Sequence, residues 1–189
     1  MDPRAARVQE ALRRLGVDSR VHEFDRPTRT SAQAADAVGV PVGRIVKSLV
    51  FRGSDGVPLL VLAAGDRRVV LAKVELVSGR TVRLAPPEWV AARTGFPVGG
   101  VPPVAHDPPM EVLMDETLLP HAEVWAAGGH PQAVFPIAPR RLAEVTSARL
   151  ADITDPISPD GPASERTWPP AGGPPAGRGP YDGREAPRD

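Results

Sequence analysis

Residues 45–64 read IVKSLVFRGSDGVPLLVLAA, and no other stretch of the chain limits its fold so strongly. Two apolar runs of strand length flank GSDG, a turn-forming segment, so the pattern predicts a hairpin with strands over 45–52 and 58–64. The first run is rich in Val, Leu and Phe without polar alternation, the pattern of a strand covered on both faces. A chain of 189 residues can cover it with one domain of about 150 residues and have a remainder.

Helix and strand signals alternate around the hairpin. Val8, Leu12 and Leu15 recur at helical spacing before Gly16, and Thr30 is placed to cap a second helix that stops at Gly39 and Pro41. Further helices are predicted near 71–78, 86–94 and 139–145, with strands at 20–24, 81–84, 111–114, 123–126 and 133–138. No internal repeat is present. The expected fold class is α+β, a single domain over 1–154 with a central mixed sheet flanked by helices. From Asp155 the text becomes proline, glycine and charge without apolar periodicity, so 155–189 is expected to be a disordered tail.

Composition removes several kinds of chemistry. The chain has no cysteine, which excludes disulfides, thiolate metal sites and a cysteine nucleophile. The charged N-terminal stretch has no apolar leader core, and no later run approaches the roughly 18 apolar residues of a membrane helix, so a cytoplasmic protein without a membrane partner is expected. Formal net charge is zero, so no strong basic field marks the whole chain. Phosphate-cradling glycine motifs and a GxSxG elbow are absent, and His22, His106, His121 and His130 lack ligand spacing, so no metal and no cofactor are expected.

Two features remain. Lys47 sits inside the first apolar run, on the side shared by Ile45, Leu49 and Phe51, with Ser48 after it; only Lys47 and Lys73 are lysines among the 23 Lys and Arg residues. Its ammonium either serves a ligand or snorkels to the sheet edge. Gly99-Gly100 and Gly128-Gly129 either turn the chain or bring backbone N–H groups close to an anion or developing oxyanion.

The pieces VHEFD, TSAQAADAVGVP, IVKSLVF, TGFPVGGVPP and AAGGHPQAVFPIAP occur in that order, and together they resemble the YbaK/EbsC-like aminoacyl-tRNA deacylases, relatives of the editing insertion domain of bacterial prolyl-tRNA synthetases. The resemblance spans roughly 6–154. It implies a mixed, partly barrel-like sheet flanked by helices. It also implies trans-editing: hydrolysis of the ester joining a wrong amino acid to the 3′-terminal adenosine of a tRNA. The implied partners are mischarged aminoacyl-tRNA and an aminoacyl-tRNA synthetase.

Carried over by position, the resemblance gives Lys47 the role of the family's essential strand lysine, orienting the terminal nucleotide, and puts Gly100 beside the reacting carbonyl. Ser48, Gly99, Val101, Gly128, Gly129 and His130 match substrate-binding positions, and Phe24 stands where some members have tyrosine. Ala127, Pro102 and Ala105 replace residues frequent in the family, so substrate preference does not transfer. Two competing classes stay open: a non-catalytic tRNA or aminoacyl-adenosine binding module, and a small-ester hydrolase that does not need the adenosine.

Overall fold

A computed structural model describes residues 1–25, 28 and 30–157. In chain order the elements are α1 (Pro3–Arg14), β1 (His22–Glu23), α2 (Ser31–Val38), β2 (Val46–Gly53), β3 (Pro58–Ala64), β4 (Arg67–Val69), α3 (Leu71–Ser78), β5 (Val82–Leu84), α4 (Pro87–Thr94), β6 (Glu111–Asp115), β7 (Val124–Ala127), β8 (Ala133–Ile137), α5 (Pro139–Thr146), β9 (Arg149–Ala151) and β10 (Thr154–Pro156). Local chemistry sets the helix ends. Thr30 and Gln33 form a reciprocal capping box on α2, which ends at left-handed Gly39. Asp2 caps α1, whose last turn carries Arg13 and Arg14 where the helix dipole favours cations.

The predicted hairpin is the centre of the fold. β2 and β3 pair antiparallel from Val46 opposite Ala64 to Arg52 opposite Pro58. β5 adds antiparallel to the far half of β2, while β6 and then β9 add in parallel beyond β3, giving the mixed order β5-β2-β3-β6-β9. β1, β8 and β7 form a separate antiparallel sheet. A parallel bridge between Ile45 and Trp125 brings β7 against the leading end of β2, which β5 does not reach.

The two sheets therefore share one core. Val46, Val50, Leu60, Leu62, Val112 and Met114 meet Val124, Ala126, Phe135 and Ile137, and α1 inserts Ala5, Val8 and Leu12. Each large aliphatic side chain buried here contributes roughly 1.5–3 kcal/mol. The opposite face of the hairpin, with Leu49, Phe51, Leu59, Val61 and Ala63, is buried as well, as the unbroken apolar pattern requires. Asp115 closes the far edge: its buried carboxylate accepts the amides of Thr117 at 3.0 Å and Ile153 at 3.1 Å.

Three short strands, β4, β9 and β10, were not expected, because three polar-rich residues carry no periodicity. β10 pairs with β4 through Pro156, so strand pairing runs two residues beyond the compositional break at Asp155. Met1–Pro156 form one compact unit. Of the segment expected to be disordered, 158–189 lie outside the described residues. Among the described residues no helix is long and apolar enough to cross a membrane.

Candidate active site

Residues opposed across strands share a face, and this rule assembles the site. Val134 stands opposite His22 on one side and Ala127 on the other. The Ile45–Trp125 bridge puts Lys47 level with Ala127, so His22, Val134, Ala127 and Lys47 form a row across the join of the two sheets. One step along, Ile45 and Trp125 pack with Ala34, Ala35 and Val38 of α2. The His22 ring tilts against the Trp125 indole with centroids 5.5 Å apart.

Lys47 is half-buried between this α2 cluster and the apolar face carried by Leu49. Its Nζ donates to the backbone carbonyl of Arg67, the first residue of β4. Burial pushes the ammonium down to about 8, an effect the neighbouring Asp66 carboxylate partly offsets. Ser48 points the other way, between Val46 and Val50 and toward the shared core. Its Oγ is buried and has no hydrogen-bond partner among the described residues.

The two glycine pairs interlock. Gly100 N–H donates to the Pro97 carbonyl at 2.9 Å, closing a turn in which Gly99 takes φ +84°, the positive value that type II geometry demands. The next residue is held by a close approach: a Cβ on Gly100 would lie 2.4 Å from the His130 Cα. In the second loop, Gly128 N–H donates to the Ala133 carbonyl at 2.7 Å, and Gly129, at φ +110°, abuts the Arg4 carbonyl at the start of α1. The Gly100 and Gly128 amides are thus already engaged. The Gly99, Val101, Gly129 and His130 amides have no acceptor among the described residues.

His130 is buried and fully engaged through its ring. Nδ1 accepts from the Gln132 amide at 3.3 Å, which leaves the proton on Nε2, 3.1 Å from Glu23 Oε1. Glu23 also accepts the Asp2 amide at 2.8 Å and lies 3.7 Å from the N-terminal ammonium. The Asp2 amide, supported by His130 and the terminal ammonium, holds the Glu23 carboxyl below the usual carboxylate range. Phe24 is tied to the same loop, its N–H donating to the Gln132 carbonyl at 2.9 Å, and Thr28 donates its hydroxyl to the Pro131 carbonyl.

Of the residues expected from sequence, Phe24, Gly99, Gly100, Val101, Gly128, Gly129 and His130 form one connected group. Lys47 joins it through the β2–β7 register rather than through a bond, since no hydrogen bond or ion pair links it to either glycine loop. Ser48 stands apart, on the core side. Sequence reasoning missed Glu23, Thr28, Trp125 and Gln132. Alternation in VHEF carried a faint signal, since it puts His22 and Phe24 on one face and Glu23 on the other. Among the described residues no group of three or more metal-ligating side chains comes together.

Comparison with known proteins identifies the family. Residues 25–145 match the aminoacyl-tRNA editing domain. A solved structure described as "a putative trans-editing enzyme for prolyl tRNA synthetase" superposes with TM-score 0.79 at 46% identity, covering 82% of this chain and 99% of that one. "Uncharacterized protein YwhH" of Bacillus subtilis is 36% identical over 69% of this chain and 83% of its own length. "Putative Cys-tRNA(Pro)/Cys-tRNA(Cys) deacylase EbsC" of Enterococcus faecalis is 24% identical over 66% and 77%. With the family model matched over residues 25–145 and the fold shared with that solved structure, the chain belongs to the aminoacyl-tRNA editing domain family, among its YbaK/EbsC-like members.

Proposed function

We propose that the chain is a trans-acting deacylase that hydrolyses the ester between a wrongly attached amino acid and the 3′-terminal adenosine of a tRNA. The observation that carries this reading is Lys47 set level with Ala127 beside two interlocked glycine loops, whose Gly99, Val101, Gly129 and His130 amides have no acceptor among the described residues. Such an ester is already activated, so the site has chiefly to position water and stabilise charge. Water attacks the carbonyl carbon, and the unengaged amides of the two glycine loops, those of Gly99, Val101, Gly129 and His130, are the donors available to the oxyanion. Collapse breaks the bond to the ribose oxygen, which takes up the water's proton, and free amino acid and tRNA leave.

In this mechanism Lys47 orients the terminal nucleotide. One of its three donors is held by the Arg67 carbonyl, which leaves two for phosphate or ribose oxygens. His130 is a clamp rather than a base, because both ring nitrogens are occupied. Gly100 acts by letting the loops meet. Editing is needed because a single methylene gives a synthetase only about 1–3 kcal/mol of discrimination. A synthetase that delivers its mischarged product is the natural second partner, and the site works without metal or cofactor.

The test is release of free amino acid from a panel of mischarged tRNAs by the purified chain, above the spontaneous rate. Tight binding without release would assign the chain as a binding module. Turnover of simple esters as fast as of charged tRNA would assign it as a general esterase.

A further inference from the structure

Lys47 stands opposite Ala63 in the hairpin. The chain then turns at Gly65 and Asp66 and enters β4 at Arg67, whose carbonyl accepts the lysine ammonium. β4 has one strand partner among the described residues, β10, and their register decides where that carbonyl points. Val70 N–H donates to the Ile153 carbonyl at 2.9 Å, so these opposed residues form a hydrogen-bonding pair. Such pairs recur at every second residue of an antiparallel ladder, which makes Arg68 and Asp155 the next. Arg67 and Pro156, one step further, belong to the alternate pairs, whose N–H and C=O groups point outward. A proline fits there because the position has no ladder bond to donate. The Arg67 carbonyl therefore faces away from β10 and is left for Lys47.

β10 is fastened in turn. Arg67 Nε donates to the Thr154 hydroxyl at 3.0 Å, a side-chain tie across the same two strands. Thr154 is buried, and a hydroxyl taken out of water has to be bonded there. Lys73 of α3 donates to the Thr154 carbonyl and to the Asp152 and Asp155 carboxylates, each at 3.0 Å. Just before β10, the amide of fully buried Ile153 reaches the Asp115 carboxylate at 3.1 Å. Residues 152–156 thus brace the main-chain oxygen on which the Lys47 ammonium rests. The carboxylate acting on that ammonium, Asp66, immediately precedes Arg67. A lysine head on a flexible stem takes its direction from such partners.

We infer that β10 is a positioning element of the active site: Thr154, acting through Arg67, holds the carbonyl that aims the Lys47 ammonium at the substrate. The inference rests on the deacylase reading for what Lys47 is aimed at, and its first test needs no substrate. Lys47 and Lys73 are the only lysines, so the full chain labelled at lysine Cε gives two NMR signals, and the one missing from Lys47→Ala reports the Lys47 head group. Thr154→Val keeps the side-chain shape and removes the hydroxyl. It should lower the Lys47 titration midpoint by about half a pH unit or more, because a buried ammonium whose acceptor drifts is less well held. Thr154→Ser, which keeps the hydroxyl, should restore the wild-type midpoint. Lys73→Gln, an exposed change that frees β10 from α3, should shift it in the same direction as Thr154→Val.

With charged tRNA, Thr154→Val should lower kcat by about threefold or more and move the falling limb of the pH–rate profile with the titration, and Thr154→Ser should recover both. In an Arg67→Met background, adding Thr154→Val should move the midpoint no further, because the hydroxyl acts through that guanidinium. A chain that shows these shifts and releases no amino acid leaves the bracing of Lys47 standing and removes the deacylase. An unmoved Lys47 midpoint in both Thr154→Val and Lys73→Gln would overturn the inference, as would a Thr154→Val shift that persists in full in the Arg67→Met background.

Discussion

Gly100 stands against His130 so closely that a β-carbon there would lie 2.4 Å from the His130 Cα and 2.8 Å from its backbone nitrogen. The neighbour is main chain, which has no rotamer to yield. Gly100→Ala should therefore lose about 2–3 kcal/mol of stability as the loops are forced apart, and deacylation should fall with it. Thermal melting and specific activity on the same preparation check this. Full stability with lost activity would make Gly100 a purely catalytic position.

Lys47 gives a pH signature. Its folded value near 8 lies below the ordinary 10.5, so the native protein loses this proton first as pH rises. Contacts made by the ammonium disappear above about 8, and the enzymatic rate, corrected for spontaneous ester hydrolysis, should fall there. Stability moves the other way. Between about 8 and 10.5 the unfolded chain holds more protons at this residue, so it contributes rising stability, on the order of 1–3 kcal/mol in all. Asp66→Asn removes the charge that raises the value and should move the falling limb of activity to lower pH.

Ser48→Ala should leave deacylation unchanged and stability within about 1 kcal/mol of wild type. The hydroxyl it removes is buried toward the core without a partner. A large loss of activity, with melting unaffected, would put Ser48 in contact with substrate.

Much of this architecture was readable in the chain. IVKSLVF and PLLVLAA are long enough for apolar pattern to override ambiguity, and GSDG fixed their pairing as antiparallel. Thr30 and Gly39 bounded α2 because caps satisfy particular backbone groups. The three-residue strands β4, β9 and β10 were not readable, since their partners lie far away in sequence and they have too few residues to show a period. Within the site, glycine pairs announce close approach but not what approaches, so the contact of Gly100 with His130 shows only in the fold. Register decided the rest: alternation separates Lys47 from Ser48, and the single bridge at Ile45 sets Lys47 beside Ala127.

Glu23 acts on the site through His130, so Glu23→Ala should lower kcat about tenfold while KM changes little, because the imidazole loses the acceptor that orients it. Glu23→Gln keeps an acceptor for Nε2 and should recover most of the rate. Equal loss in both variants, tracking a fall in melting temperature, would reduce Glu23 to an anchor for the N-terminus.

The central claim is that Lys47 and the glycine loops hydrolyse an aminoacyl-tRNA ester, and one measurement addresses it most directly. Wild-type protein and Lys47→Ala, each verified as folded, are mixed with a panel of isotopically labelled mischarged tRNAs, and free amino acid is followed against a protein-free control. The expected result is release from at least one tRNA by wild type and a rate at the control level for Lys47→Ala, with both proteins melting normally. Equal release by the two proteins, or none by wild type from any tRNA in the panel, would contradict the account.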